Sequence, residues 1–243
     1  MEIKKIKKKR KFIRIALIFS ALAFTALAVL ISPLFEIRNI NIVGNDIILD
    51  SEVISVSGIA AGQNILSFGT NSVVRRLFSL PYLRDAYILR EFPDTVVISI
   101  TERVPMANIR LSHSGTYLLI DDMGMVLSVR ATPEEHLPVV IGVDFPNFAI
   151  GEYLSVQDSA IFENILLISR MFRQNDFYPD ILDKSNPHDI IIRYGSLDIL
   201  FGNMSDANRK VHNIAAIIEQ FPEGNAGFID IRDINQPRFG PLR

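Results

Sequence analysis

The sequence predicts an α+β protein: a single N-terminal transmembrane helix, then a β-α-α-β-β domain and a mixed β-sheet domain with two helices. Three observations predict it. An uncharged run, Ile15 to Phe35, stands directly behind a basic leader. Short segments beyond it alternate apolar and polar residues with period 2, the mark of strands with one buried face. Between them lie segments whose apolar residues recur at i, i+3 and i+4, the mark of helices with one buried stripe.

The uncharged run comes first. At 1.5 Å per residue a helix from Ile15 to Phe35 is roughly 30 Å long, the thickness of a bilayer's hydrocarbon core. Ser20 and Thr25 are its polar residues up to Ile31. The leader carries eight Lys or Arg against Glu2, and a positive flank stays in the cytoplasm. The expected plan is therefore a cytoplasmic tail over 1–14 and a transmembrane helix over 15–34, with the rest on the far side. Ala26-Leu27-Ala28 has the form of a signal-peptide cleavage site, but signal cores run to about 7 to 15 residues, so a retained anchor is expected.

Composition narrows the classes. The chain has no cysteine, so a domain outside the cytoplasm must rest on its hydrophobic core rather than on disulfides. Overall charge is −2, so everything beyond the basic leader is acidic, which argues against nucleic acid as a partner. No internal repeat of 20 to 50 residues is visible.

The first domain is expected over 35–104. Glu36 to Val43 reads as a strand stopped by Gly44-Asn45-Asp46, and Ser51 to Ser57 as a short helix with Asp50 as N-cap and Gly58 as stop. Val73, Val74, Leu77 and Phe78 mark one face of a helix from Asn71 to Ser79. Asp85 to Arg90 and Thr95 to Glu102 read as strands joined by Glu91-Phe92-Pro93-Asp94, with Val96, Ile98 and Ile100 alternating inward. Pro105 interrupts pairing where the domains meet, and Glu102-Arg103 reads as a solvated pair.

The second domain is expected over 105–236, with a short tail over 237–243. Ala107 to Leu111 and Thr116 to Ile120 pair across Ser112-His113-Ser114-Gly115. Val126 to Val129 and the apolar run Leu137 to Gly142 follow. Ser155 caps a helix striped by Ile161, Phe162, Ile165, Leu166, Ile168, Met171 and Phe172. His188 to Tyr194 and Leu197 to Phe201 form a hairpin at Gly195-Ser196. Asp206 to Gln220 is a helix with Ala207, Val211, Ile214, Ala215 and Ile218 on one side, and Gly227 to Ile234 is the final strand. Pro237, Gly240 and Pro241 do not readily extend a ladder.

The residues carry no recognisable chemistry. His113, His136, His188 and His212 are scattered, without metal-ligand spacing. Asp121, Asp122, Glu134 and Glu135 lack the oxygen spacing of a calcium loop and read as turn acids. No Gly-x-Ser-x-Gly elbow and no phosphate loop occurs. A Ser/Lys peptidase is written only by freely pairing Ser196 or Ser205 with Lys184 or Lys210. The expectation is no catalytic residue, no metal and no cofactor. A sheet with an accessible edge is a binding device, because a strand from another protein can satisfy its free N–H and C=O groups.

Several segments, in order, resemble a known family. Phe35-Glu36-Ile37-x-x-Ile40-x-Ile42-x-Gly44-Asn45, Leu80-Pro81-Tyr82-Leu83-x-x-Ala86, Arg90-x-Phe92-Pro93-Asp94-Thr95 and Ile100-x-Glu102-Arg103-x-Pro105-x-Ala107 resemble the POTRA domain of the bacterial division proteins FtsQ and DivIB. Ile120-Asp121-x-x-Gly124, Leu137-Pro138-x-x-x-Gly142, Leu197 to Gly202 followed by Lys210, and Ile229-Asp230-Ile231-Arg232 resemble the β domain of the same family. The resemblance implies a non-catalytic, single-pass scaffold in the inner (plasma) membrane at the division septum, with FtsB- and FtsL-type coiled-coil partners on the last strands. On it, Ile229, Ile231, Arg232, Asp233 and Ile234, with Arg238 and Phe239 beyond them, are the expected contacts. The residues alone keep a second reading open, in which the apolar members join the core and Arg232 pairs with a nearby acid. The alternative within the binding class is a POTRA-bearing outer-membrane transport or assembly component, but the region beyond Met106 holds too few strands of barrel length.

Overall fold

A computed structural model describes residues 2–30, 32–111, 115–186, 189–219 and 226–241. The expected turn Ser112-His113-Ser114, His188 and the expected helix end at Gln220 lie outside them. Contacts divide the chain into two compact units, up to Glu102 and from Arg103 onward.

In the first unit, helix α1 (Glu2–Leu30) takes in the basic leader and the uncharged residues 15–30. The expectation of one helical rod from Ile15 to Phe35 is corrected. Pro33 lacks an N–H and disfavours helical geometry in the residue before it, so Ser32 turns extended (φ −72°, ψ 159°) and a separate 3₁₀ turn, Pro33–Phe35, follows. Residues 15–30 span about 24 Å as helix, and among the described residues no helix is long and apolar enough to cross a membrane. Leu17, Phe19, Leu22 and Phe24 along α1 are all exposed, Phe24 at 75%.

The remainder of this unit is a three-stranded sheet in the order β1-β3-β2, with β1 (Asn39–Val43), β2 (Leu83–Glu91) and β3 (Thr95–Glu102). The central β3 runs parallel to β1 and antiparallel to β2. Val96, Ile98 and Ile100 alternate inward on β3 and join Val53 of α2 (Asp50–Ser57) and Val73 and Leu77 of α3 (Thr70–Leu77) in one core. Asp50 is the first residue of α2 and not its cap; its carboxylate accepts a hydrogen bond from Asn45 Nδ2 at 2.7 Å. Phe78 stays half exposed, because α3 closes at Leu77.

The reading of Glu102-Arg103 as a solvated pair is overturned, since the two side chains serve different units. Glu102 accepts hydrogen bonds from the N–H groups of Ile47 (2.8 Å) and Ile48 (2.7 Å), closing the loop after β1 onto the end of β3. Arg103 is buried, with Nη1 2.6 Å from Asp121 Oδ2. The other Asp121 oxygen accepts from the N–H groups of Met123 and Met125 at 2.9 and 2.8 Å. Asp121 is thus more than a turn acid: it holds the turn and neutralises a buried cation at once.

The second unit is built on a nine-stranded sheet in the order β12-β11-β10-β9-β8-β7-β4-β5-β6. Its strands are β4 (Pro105–Arg110), β5 (Tyr117–Asp121), β6 (Val126–Arg130), β7 (Val139–Ile141), β8 (Ile181–Asp183), β9 (Ile190–Tyr194), β10 (Leu197–Gly202), β11 (Gly227–Asp230) and β12 (Arg238–Gly240). β7 pairs parallel with β8 and β10 with β11. Parallel neighbours need a crossover, supplied by α4 (Ser159–Gln174) and α5 (Ala207–Ile218). Ile165, Leu166 and Phe172 of α4 and Val211 and Ile214 of α5 pack with Ile192, Ile199 and Phe201 of the sheet.

Four sequence expectations change here. Pro105 does not break pairing but opens β4 opposite Asp121, a first-residue position where a missing N–H is tolerated. The cap of α4 is Asp158, whose carboxylate accepts from Ile161 N at 3.0 Å, not Ser155. The buried side of α5 includes Lys210 and Ile217, while Ala215 is exposed. The final strand ends at Asp230 instead of Ile234, and residues assigned to a tail form β12. The cause is a pair of side-chain turns: Asp230 accepts from Arg232 N (3.1 Å) and Asp233 from Asn235 N (3.0 Å), folding the chain back before Pro237.

Asp158 gives a first measurable consequence. Its replacement by Ala removes the side-chain cap at the N-terminus of α4, and about 1 kcal/mol of stability should go with it. A urea midpoint equal to that of the unmodified chain would contradict this.

Candidate functional site

β12 stands at one end of the long sheet, paired with β11 on one side through Phe228↔Gly240, Ile229↔Phe239 and Asp230↔Arg238. Among the described residues its outer side has no strand neighbour. The hairpin divides the predicted contact residues into two groups. Ile229 and Ile231 are 1% and 0% exposed and belong to the core, so their side chains cannot meet a partner while the domain is folded. Ile234 is half-buried against the same core. Arg232, Asp233, Arg238 and Phe239 are exposed.

Arg232 forms a fork with Asp230: Nε is 3.0 Å from Oδ1 and Nη2 is 2.7 Å from Oδ2. Gly202, with φ +77°, makes room for its stem, because a Cβ there would come within 2.8 Å of Arg232 Cγ. The hydrogen bond from Arg232 holds the Asp230 carboxyl below its ordinary value, against the opposing effect of burial. A carboxyl lowered on folding stabilises above its unfolded pKa and loses that contribution as pH falls through the folded one. Asp230→Asn should therefore flatten the fall of stability below about pH 4. Superimposable acid-titration curves of midpoint against pH would refute the pairing.

Two buried lysines were candidates for peptidase chemistry. Lys210 Nζ donates to the carbonyls of Phe201 (2.9 Å) and Asn203 (3.2 Å) and lies 4.9 Å from the Phe201 ring. Lys184 Nζ donates to the Asp189 carbonyl at 3.5 Å. Burial lowers the pKa of both, opposed by neighbouring aspartates. Lys210 spends its donors on main-chain oxygens and the ring, tying α5 to the end of β10, rather than on Ser205 or Ser196. A basic residue inside a helix stripe signals such a tie, and it was readable at the i, i+4, i+7 positions of Lys210, Ile214 and Ile217.

A β-α-α-β-β module followed by a unit built on a long mixed sheet, with β12 and β6 as its end strands, defines the class: a two-module α+β protein. A family model described as "POTRA domain, FtsQ-type" matches residues 35–103. The chain is 28% identical over 208 residues to the cell division protein DivIB of Clostridium tetani, covering 82% of this chain and 77% of that one. It is 26% identical to the cell division protein FtsQ of Syntrophotalea carbinolica over 231 residues, 92% and 79% of the two chains. The DivIB of Clostridium botulinum aligns over 97% of this chain and 94% of its own length at 24% identity. Over most of its length the chain is similar to the FtsQ and DivIB cell division proteins.

Proposed function

We propose that the chain is a non-catalytic membrane-anchored scaffold of the bacterial division machinery. Its tail (1–14) lies in the cytoplasm, 15–34 crosses the inner membrane, and the POTRA domain (35–104) and β domain (105–236) stand outside at the septum. The apolar side chains that α1 exposes support the anchor; in lipid, such exposure is favourable. The stretch beyond Leu30 adds Pro33, Leu34 and Phe35 to the apolar length before the first charge at Glu36.

The observation that carries the reading is the open edge of β12. A three-residue edge strand that itself carries Arg238 and Phe239, with Arg232 in the turn before it, offers main-chain groups for an added strand and two guanidinium groups for acids beside it. Anchored coiled-coil proteins of FtsB and FtsL type fit that chemistry. Ile229, Ile231 and Ile234 then shape the edge from beneath, and Asp233 fixes its turn.

The test is co-purification of the full chain from membranes with FtsB- and FtsL-type proteins. Arg232→Glu should weaken capture about tenfold or more, since a reversed charge repels the same acid and breaks the Asp230 fork. Undiminished capture would remove Arg232 from the interface. Release of the full chain from membranes by alkaline carbonate would defeat the anchor separately.

A further inference from the structure

A second surface lies away from β12, in the same unit. A depression of about 320 Å³ is bounded by Pro105, Met106, Pro138, Phe172, Phe177 and Arg173. A second, of about 390 Å³, adjoins it and shares the ridge His136, Leu137, Tyr178 and Pro179. Together they form a trough with buried Pro138 and Pro179 in its wall, a lining that is already rigid before anything binds.

Ser169 also lines the first depression. It is 3% exposed, and its Oγ has no hydrogen-bond partner among the described residues. A buried, unpaired hydroxyl destabilises a fold by about 1 to 3 kcal/mol, so its position in an apolar wall points to a partner that arrives from outside. The trough is also polarised. At the first depression the side chain of the exposed Arg173 makes one hydrogen bond among the described residues, to the Pro105 carbonyl at 3.5 Å. At the second stand Glu135 and Asp180, both exposed, and Glu134, paired with Arg130 at 2.8 Å.

We infer that this trough binds an extended peptide segment of another protein, with two apolar side chains placed between a carboxylate and a cation. The carboxylate lies at Arg173, one apolar side chain fills each depression across the His136–Tyr178 ridge, and the cation lies at Glu135. Ser169 supplies its hydroxyl to the peptide. Pockets of this size that are mostly apolar with a few placed polar groups are the usual form of a specific site. This surface is independent of β12.

The probe is a fluorescent capped peptide, Asp-Phe-Ala-Leu-Lys, titrated by anisotropy against the full chain in lipid nanodiscs, with Asn-Phe-Ala-Leu-Gln as its neutral counterpart and empty nanodiscs as blank. The charged peptide should bind about fivefold more tightly than the neutral one. Arg173→Glu, at an exposed position, should abolish that preference, and replacing the peptide's acid by Lys should restore binding to the variant. Ser169→Ala should raise the unfolding midpoint while weakening the peptide about threefold, a combination that loss of a structural hydrogen bond would not give. Phe239→Asp should leave the peptide unaffected, so failure at the edge and failure here are separable. Equal binding of charged and neutral peptides, or unchanged affinity in both the Arg173 and Ser169 variants, would overturn the proposal.

Discussion

Asp121→Ala should cost the β domain about 3 to 5 kcal/mol, because it leaves the Arg103 guanidinium buried without its counter-charge. The side chains of the pair are 9% and 0% exposed, so water cannot replace the carboxylate. The loss also removes the carboxylate oxygen that accepts from the N–H groups of Met123 and Met125. Burial pushes the Arg103 pKa down, but the hydrogen bonding and charge of Asp121, with Tyr153 adding to them, outweigh it and hold it above its ordinary value. Asp121→Asn keeps an acceptor for the two N–H groups and removes only the charge, so an Asn variant nearly as unstable as the Ala variant would identify the stranded cation as the main cost. Adding Arg103→Met to Asp121→Ala should then recover part of the loss, as neighbours in one network do not add. A urea midpoint shift worth less than about 1 kcal/mol for Asp121→Ala would show the pair to be dispensable.

Gly44→Ala should be nearly as damaging to the POTRA domain, and its cause can be isolated. Gly44 has φ +88°, and a Cβ there would lie 2.1 Å from the carbonyl oxygen of Ile100. That oxygen belongs to the central strand β3, held on both sides by β1 and β2, so the clash cannot be relieved by a side chain moving aside. Gly62 serves as the control: φ is +81° but nothing lies within 4 Å of its Cβ position. Gly62→Ala should lose only the conformational part, about 1 kcal/mol, and Gly44→Ala about 3 kcal/mol. The two variants followed by circular dichroism in urea would decide it, and equal losses would rule out the close approach as the cause.

Much of this architecture was readable from residue spacing. Val96, Ile98 and Ile100 alternate over a full-length strand, and the stripe from Phe162 to Phe172 covers about three turns, so pattern and burial agree at both. Short elements were not readable. Ile181–Asp183 follows Pro179 and has three residues, too few to show a period, yet it supplies the strand between β7 and β9. β12 was hidden by Pro237 and Pro241, which flank the strand rather than enter its ladder. The role of Arg103 was invisible because its partner is Asp121, and nothing in the run Glu102-Arg103 says that one charge faces a loop N–H pair and the other a buried acid. At the candidate edge, alternation already implied that part of the last strand faces inward. It could not reveal that Asp230 ends the strand and takes the Arg232 fork.

From β7 to β12 each strand of the long sheet is laid beside the one before it in sequence. A polypeptide made from its amino end can therefore zip this sheet outward, every arriving segment finding a finished template. The rim that would greet other proteins is completed only after the layers beneath it have set. Each new strand then covers the edge left by the one before it, which limits wrong pairings while the chain is incomplete.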